Sequence, residues 1–161
     1  MTIPLIENLR RVDMFHGLND AELLRLARIC RVRRVEADTV IMQEGEEGDE
    51  LMVIHDGSVK VSLRSRGSDG TVSAHTLTML YGGQCFGEMV LLGSATRTAT
   101  VTAVAQCVLL VIKERDFNVI CESNPRIGYT VMRNIASELA FKLRSANLLL
   151  RGDIRLPHLE V

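Results

Sequence analysis

One stretch of the 161-residue chain gathers residue types able to hold an anion: Cys85-Phe86-Gly87-Glu88-Met89-Val90-Leu91-Leu92-Gly93-Ser94-Ala95-Thr96-Arg97-Thr98-Ala99-Thr100. A helix-like turn over 88–92 is entered through Gly87 and left through Gly93. Gly87 lets the backbone come close to a ligand, and the first amides of such a turn point outward without intrahelical partners. A helix start of this kind favours negative charge. Nine positions after Glu88 stands Arg97, followed by Thr98 and Ala99. An arginine, a hydroxyl and several amides converging on one point suit a phosphate, whose oxygens the guanidinium fork matches bidentately. Glu88 would be repelled by that phosphate, so its carboxylate needs another task, such as accepting a hydrogen bond from a sugar 2′-hydroxyl. Sugar and phosphate held in one short cassette amount to a nucleotide site. The plainer alternative is a solvated Glu88–Arg97 ion pair, the common fate of charged residues.

The elements that must position this cassette fall into three zones. Residues 1 to about 30 read as helical. Leu5, Leu9 and Val12 form a short stripe closed by a turn at His16-Gly17, and Asn19-Asp20 offers a cap ahead of Leu23, Leu24 and Ala27. Over 31–113 the period changes. Val59-Lys60-Val61-Ser62-Leu63-Arg64 alternates apolar and polar residues as a half-buried strand does. Segments 39–42, 51–54, 76–80 and 98–103 are short and rich in β-formers, and 108–112 is an unbroken apolar run, as in a strand covered on both faces. Turn signals at Gly45, Gly48, Asp56-Gly57, Asp69-Gly70 and Gly82-Gly83 separate them. Such spacing predicts a sandwich, barrel or jelly roll rather than a parallel α/β sheet.

The third zone, 114–150, is helical again. A short helix over 113–122 precedes Asn124-Pro125, a cap and first-turn proline. A long helix then runs to about Leu150, its apolar stripe formed by Met132, Ile135, Leu139, Leu143, Ala146 and Leu150. That stripe serves packing against the roll, a dimer seam, or both. A tail over 151–161 follows, and the whole of 1–161 reads as one domain.

Composition narrows the classes. The chain is 47% hydrophobic and 24% charged, with 19 Lys and Arg against 20 Asp and Glu and a net charge of −1. It shows neither the basic footprint of a nucleic-acid binder nor the polybasic signature of a membrane-surface protein. No apolar run approaches the ~18 residues a transmembrane helix needs. Residues 1–11, with Pro4, Glu7 and two arginines, do not read as a signal peptide. Cys30, Cys85, Cys107 and Cys121 lack CxxC pairing and zinc-spaced histidines, which points to reduced thiols in a cytoplasm and no metal site. No nucleophile–base pair is apparent, so no catalytic residue and no enzyme activity is expected.

Phe86-Gly87-Glu88, Leu91-Leu92 and Arg97-Thr98-Ala99-Thr100-Val101 together resemble the phosphate-binding cassette, here 86–101, of cyclic nucleotide-binding domains. These occur in the regulatory parts of protein kinases A and G, in cyclic-nucleotide-gated channels and in the bacterial catabolite activator. The resemblance extends over nearly the whole chain, and Asp56-Gly57 before an alternating strand is similar to the family's third and fourth strands. The nine-residue step from Glu88 to Arg97 matches the kinase and channel forms.

The resemblance implies a mainly β fold with helical ends (α+β): an antiparallel, jelly-roll-like, eight-stranded β-roll flanked by N-terminal helices and two C-terminal helices. It implies that Arg97 pairs with the exocyclic phosphate oxygens, assisted by Thr98 and the Ala99 amide. Glu88 would take the ribose 2′-hydroxyl beside the Gly87 backbone, and Val61, Thr78 and Leu80 would flank the base. No cofactor is expected; the ligand would be cAMP, alternatively cGMP, since Thr98 permits guanine without excluding adenine. The activator reads adenine with a threonine–serine pair on its long helix. Lys142-Leu143 stands there in this chain, which leaves Lys142, Arg144, Ser145 and Asn147 as candidates to cap the base. The implied function is a cytoplasmic regulatory sensor that signals by movement of its C-terminal helices. Its partner would be a protein or a second copy met through the C-terminal helix, with no nucleic acid bound by this chain and no membrane insertion. The alternative is the ligand-binding part of a transcription regulator or channel whose effector domain is missing from this chain.

Overall fold

The computed structural model describes residues 5–152; the rest of the tail, 153–161, lies outside the described residues. Helices α1 (Leu5–Arg10) and α2 (Asp20–Ile29), with a 3-10 turn at Asp13–Phe15 between them, lead into the strands. These are β1 (Arg31–Val35), β2 (Val40–Met42), β3 (Glu50–Asp56), β4 (Ser58–Arg66), β5 (Val72–Tyr81), β6 (Cys85–Phe86), β7 (Thr100–Ala103) and β8 (Cys107–Lys113). A second 3-10 turn, Glu88–Leu92, separates β6 from β7, and helices α3 (Glu114–Ser123) and α4 (Pro125–Arg151) follow β8. The strands form two antiparallel four-stranded sheets, ordered β1-β8-β3-β6 and β2-β7-β4-β5. This is the α+β β-roll with helical ends.

Two cores follow from strand alternation. Met52 and Ile54 of β3 and Leu109 and Val111 of β8 face Val59 and Val101 of the other sheet. Their neighbours Leu51, Val53, Leu110 and Ile112 face the helices, where they meet Phe15, Leu26, Phe117 and Ile127. Strands buried on both faces need apolar residues at every position, which explains the unbroken run in β8. β1 holds its place despite Arg31, Arg33 and Arg34 because its whole length pairs with β8 and Val35 enters the core.

The long helix divides in two. Ile127, Val131 and Ile135 are buried, with Met132 and Leu139 packed beside them. Past Leu139 the expected stripe leaves the body of the protein: Leu143 is 63% and Leu150 86% exposed. The inner half is also tied by polar contacts. Asn134 Nδ2 donates to the carbonyl oxygens of Met14 (3.0 Å) and His16 (2.8 Å). Arg126 pairs with Glu22 of α2 and donates from Nη2 to Gly17 O at 3.0 Å.

Glu22 joins three elements. With Asn19 it forms a capping box: Asn19 Oδ1 accepts from the Glu22 amide at 3.0 Å, and Glu22 Oε2 accepts from the Asn19 amide at 2.8 Å. Burial alone would raise the Glu22 carboxyl, but the hydrogen bonds from Arg126 and Asn19 outweigh it and hold its pKa below 4.5. A carboxylate held below its unfolded pKa stabilises the fold above that value and ceases to do so as pH falls through the folded value. Urea denaturation from neutral pH down through 4.5 should therefore show a smaller acid-induced loss of stability in Glu22→Gln than in the unmutated chain. Identical pH profiles would mean the pair contributes nothing.

Candidate ligand-binding site

A cavity of about 420 Å³ lies against one face of the β2-β7-β4-β5 sheet. Gly87, Glu88, Arg97, Thr98, Ala99, Val61, Thr78 and Leu80 all line it. Val61 and Thr78 stand directly opposite in the β4–β5 ladder, so their side chains share a face, and Leu80 follows Thr78 by two on that face. A bulge between Val61 and Ser62 leaves Leu77 unopposed and turns it toward the same cavity.

The cassette differs from the expected strand over 98–103. β7 begins only at Thr100, and Thr98 and Ala99 stay outside the ladder. Their amides, and those of Glu88 and Met89 at the start of the 3-10 turn, have no hydrogen-bond partner among the described residues. Gly87 precedes that turn with φ +78°, a left-handed conformation that side chains disfavour. A Cβ there would also stand 2.8 Å from Glu50 O and 3.0 Å from Arg97 Nη1. Conformation and space thus both require glycine.

Arg97 is the unusual group of the site. It is 8% exposed, and its buried Nη1 has no hydrogen-bond partner. Its backbone is fixed by Arg97 N donating to Glu46 O (2.7 Å) and Gly45 N donating to Arg97 O (2.9 Å). Glu50, the nearby carboxylate, is taken by Arg33, whose Nη2 lies 3.0 and 2.9 Å from its two oxygens. Burial draws the Arg97 guanidinium below its ordinary pKa, while Glu50 and Asp49 act in the other direction. Glu88 lines the same cavity but makes no ion pair with Arg97 or with any other described residue. A buried cation without a partner asks for an anion.

The helices close one end. Asp13 and Met14 of the first 3-10 turn reach the cavity, as do Glu138 and Lys142 of α4. Lys142 Nζ lies 2.6 Å from Glu138 Oε1. Burial opposes the ammonium charge, but Glu138 and, more weakly, Glu88 raise the Lys142 pKa overall. Of the four residues considered as a cap for the base, only Lys142 lines the cavity. Met42, Leu63 and Glu138 line it too, though their types single out none of them. The four-residue step from Glu138 to Lys142 is a helical ion-pair spacing, so that pair at least left a trace in the sequence.

An arginine buried without an anion of its own, lining a cavity in a β-roll, is a feature that a small anionic ligand would complete. Comparison with known proteins is more specific: the chain belongs to the cyclic nucleotide-binding domain family, whose model matches residues 32–124. It is 34% identical over 127 residues to a cyclic nucleotide-gated potassium channel of Mesorhizobium japonicum, an overlap covering 79% of this chain and 32% of the channel. Among solved structures it is similar to the regulatory domain of Toxoplasma gondii PKA with cAMP, at TM-score 0.65 and 30% identity over 72% of this chain and 42% of that one. It is also similar to the Thermus thermophilus catabolite activator protein, at TM-score 0.72 and 31% identity over 86% and 62% of the two chains. The chain thus spans about a third of the channel's length. No helix among the described residues is long and apolar enough to cross a membrane.

Cys85 lies in the cavity wall, and burial pushes its thiol up to about 12, with Glu88 and Glu138 acting in the same direction. A protonated thiol is a poor nucleophile. Site-resolved alkylation at mildly alkaline pH should leave Cys85 unmodified in the folded protein and label it readily in urea. Rapid labelling of the folded protein would contradict this account of the site.

Proposed function

We propose that the chain is a non-catalytic cyclic nucleotide sensor whose ligand is cAMP, alternatively cGMP, and that the whole of 1–161 is one such domain. The observation that carries this is the buried, unpartnered Arg97 guanidinium facing a cavity beside the free amides of Glu88, Met89, Thr98 and Ala99. In this reading Arg97 takes the exocyclic phosphate oxygens with Thr98 and the Ala99 amide. Glu88 takes the ribose 2′-hydroxyl next to the Gly87 backbone. Val61, Thr78 and Leu80 flank the base. The cAMP named with the Toxoplasma gondii structure supports a cyclic ligand, and Thr98 keeps guanine admissible.

The signal would pass through α4. Glu138 and Lys142 reach the cavity while Asn134 and Arg126 tie the same helix to the N-terminal elements. A nucleotide that binds better to one position of α4 shifts the population toward it. The outer half of that helix, with Phe141, Leu143 and Leu150 exposed, supports a homodimer or protein partner as the recipient, in a cytoplasmic setting. The partial coverage of the relatives supports a second reading, in which this is the ligand-binding part of a longer regulator or channel.

Arg97→Ala tests the central assignment. Removing one side of a buried charge contact costs ~3–4 kcal/mol, so affinity for the cyclic nucleotide should fall roughly 100- to 1,000-fold with the circular dichroism spectrum unchanged. Glu88→Ala should weaken binding less and mainly erase the preference over a 2′-deoxy analogue. Unaltered affinity in Arg97→Ala would place the ligand elsewhere.

A further inference from the structure

Gly48 lies in the loop between β2 and β3, outside the cassette, and nothing in the local sequence marks it beyond a turn. The loop is fastened to the cassette along its length. Gly48 N donates to Ala95 O at 2.9 Å, Glu47 forms an isolated antiparallel bridge with Thr96, and Arg97 N donates to Glu46 O at 2.7 Å. Arg97 then folds its side chain back across this loop. A Cβ built on Gly48 would stand 2.5 Å from both Cζ and Nη2 of Arg97, well inside the distance at which real Cβ atoms are found.

The backbone gives no other reason for glycine. Gly48 is absent from the positive-φ glycines of the described chain, so alanine fits its conformation. What opposes alanine is the guanidinium: the three nearest neighbours of that hypothetical Cβ are Arg97 atoms. The Cβ position of Gly87 falls 3.0 Å from Nη1 of the same group. The guanidinium therefore packs against two glycines, where bare backbone leaves room for it. A rigid fork matches a phosphate bidentately only when its plane is fixed.

We infer that Gly48 is a positioning residue for the anion ligand of this site, holding the Arg97 guanidinium in the plane and at the depth that a phosphate requires. The inference rests on Arg97 being the phosphate ligand. A methyl group on residue 48 displaces the guanidinium from that position. The substitution acts on the phosphate end, since the atoms nearest the Gly48 Cβ position belong to Arg97.

The test is a calorimetric titration of cAMP, with cGMP in parallel, into the unmutated chain, Gly48→Ala, Arg97→Ala and the double variant. Gly48→Ala should keep its spectrum and denaturation midpoint yet bind at least about tenfold more weakly. In the Arg97→Ala background the same change should alter affinity less than about twofold, because the guanidinium it displaces is gone. Should Gly48→Ala alone fail to fold, the double variant must fold, since the added methyl then occupies vacated space. Normal binding by Gly48→Ala, or an equal loss in both backgrounds, would overturn the role of Gly48. If the unmutated chain binds neither nucleotide, or Arg97→Ala binds normally, it is the functional reading that fails.

Discussion

A guanidinium held out of water with no anion beside it is an expensive feature, costing several kcal/mol unless something compensates. Arg97 is in that position: its Nη1 is buried and unpartnered, and the carboxylates within electrostatic reach, Glu50 and Asp49, are paired with Arg33 and Lys113. The rest of the architecture is arranged around keeping it there. The loop from Gly45 to Gly48 pins the Arg97 backbone from one side, and Gly87 brings the start of the Glu88–Leu92 turn against the guanidinium from the other. Two sheets supply the rigid body to which both segments are attached. A phosphate entering this site would meet charge and amides already oriented, leaving little ordering to oppose binding.

The same geometry links the site to the helices. The cavity is bounded on one side by Val61, Thr78 and Leu80 of the β4–β5 ladder and on the other by Glu138 and Lys142 on a helix whose outer half lies free of the body. A ligand shifts an equilibrium only by as much as it distinguishes the two states, so a cyclic nucleotide would act on α4 only by meeting Glu138 and Lys142 differently in two positions of that helix. The Glu138–Lys142 pair reaches the cavity and Asn134 reaches the N-terminal turn, so α4 carries a contact to each.

Much of this was readable in the residues because the signals were local. Gly87, the turn after it and Arg97-Thr98-Ala99 lie within one short segment, and the alternation of β4 put Val61 on the cavity face. The cap at Asn19 and the proline opening α4 are likewise local chemistry. What the residues hid was set by partners far along the chain. β1 is rich in arginine and is a strand because β8 pairs with it. Thr98 is a β-former by type, as is Thr100, yet the clamp from Glu46 and Gly45 holds the chain ahead of Thr98 out of the ladder. The stripe of α4 is continuous in sequence, but the body it packs against ends near Leu139. Gly48 looked like punctuation, and its neighbour in space is an arginine from the opposite end of the cassette.

The central claim is that Arg97 and the surrounding amides receive the phosphate of a cyclic nucleotide. The most direct measurement is calorimetric titration of refolded, nucleotide-free protein with cAMP and cGMP, using 5′-AMP as the linear counterpart; refolding removes any ligand carried through purification. Saturable binding of a cyclic nucleotide, with 5′-AMP bound far more weakly or not at all, is the predicted result. Equal binding of 5′-AMP, or no binding of either cyclic form, would contradict it.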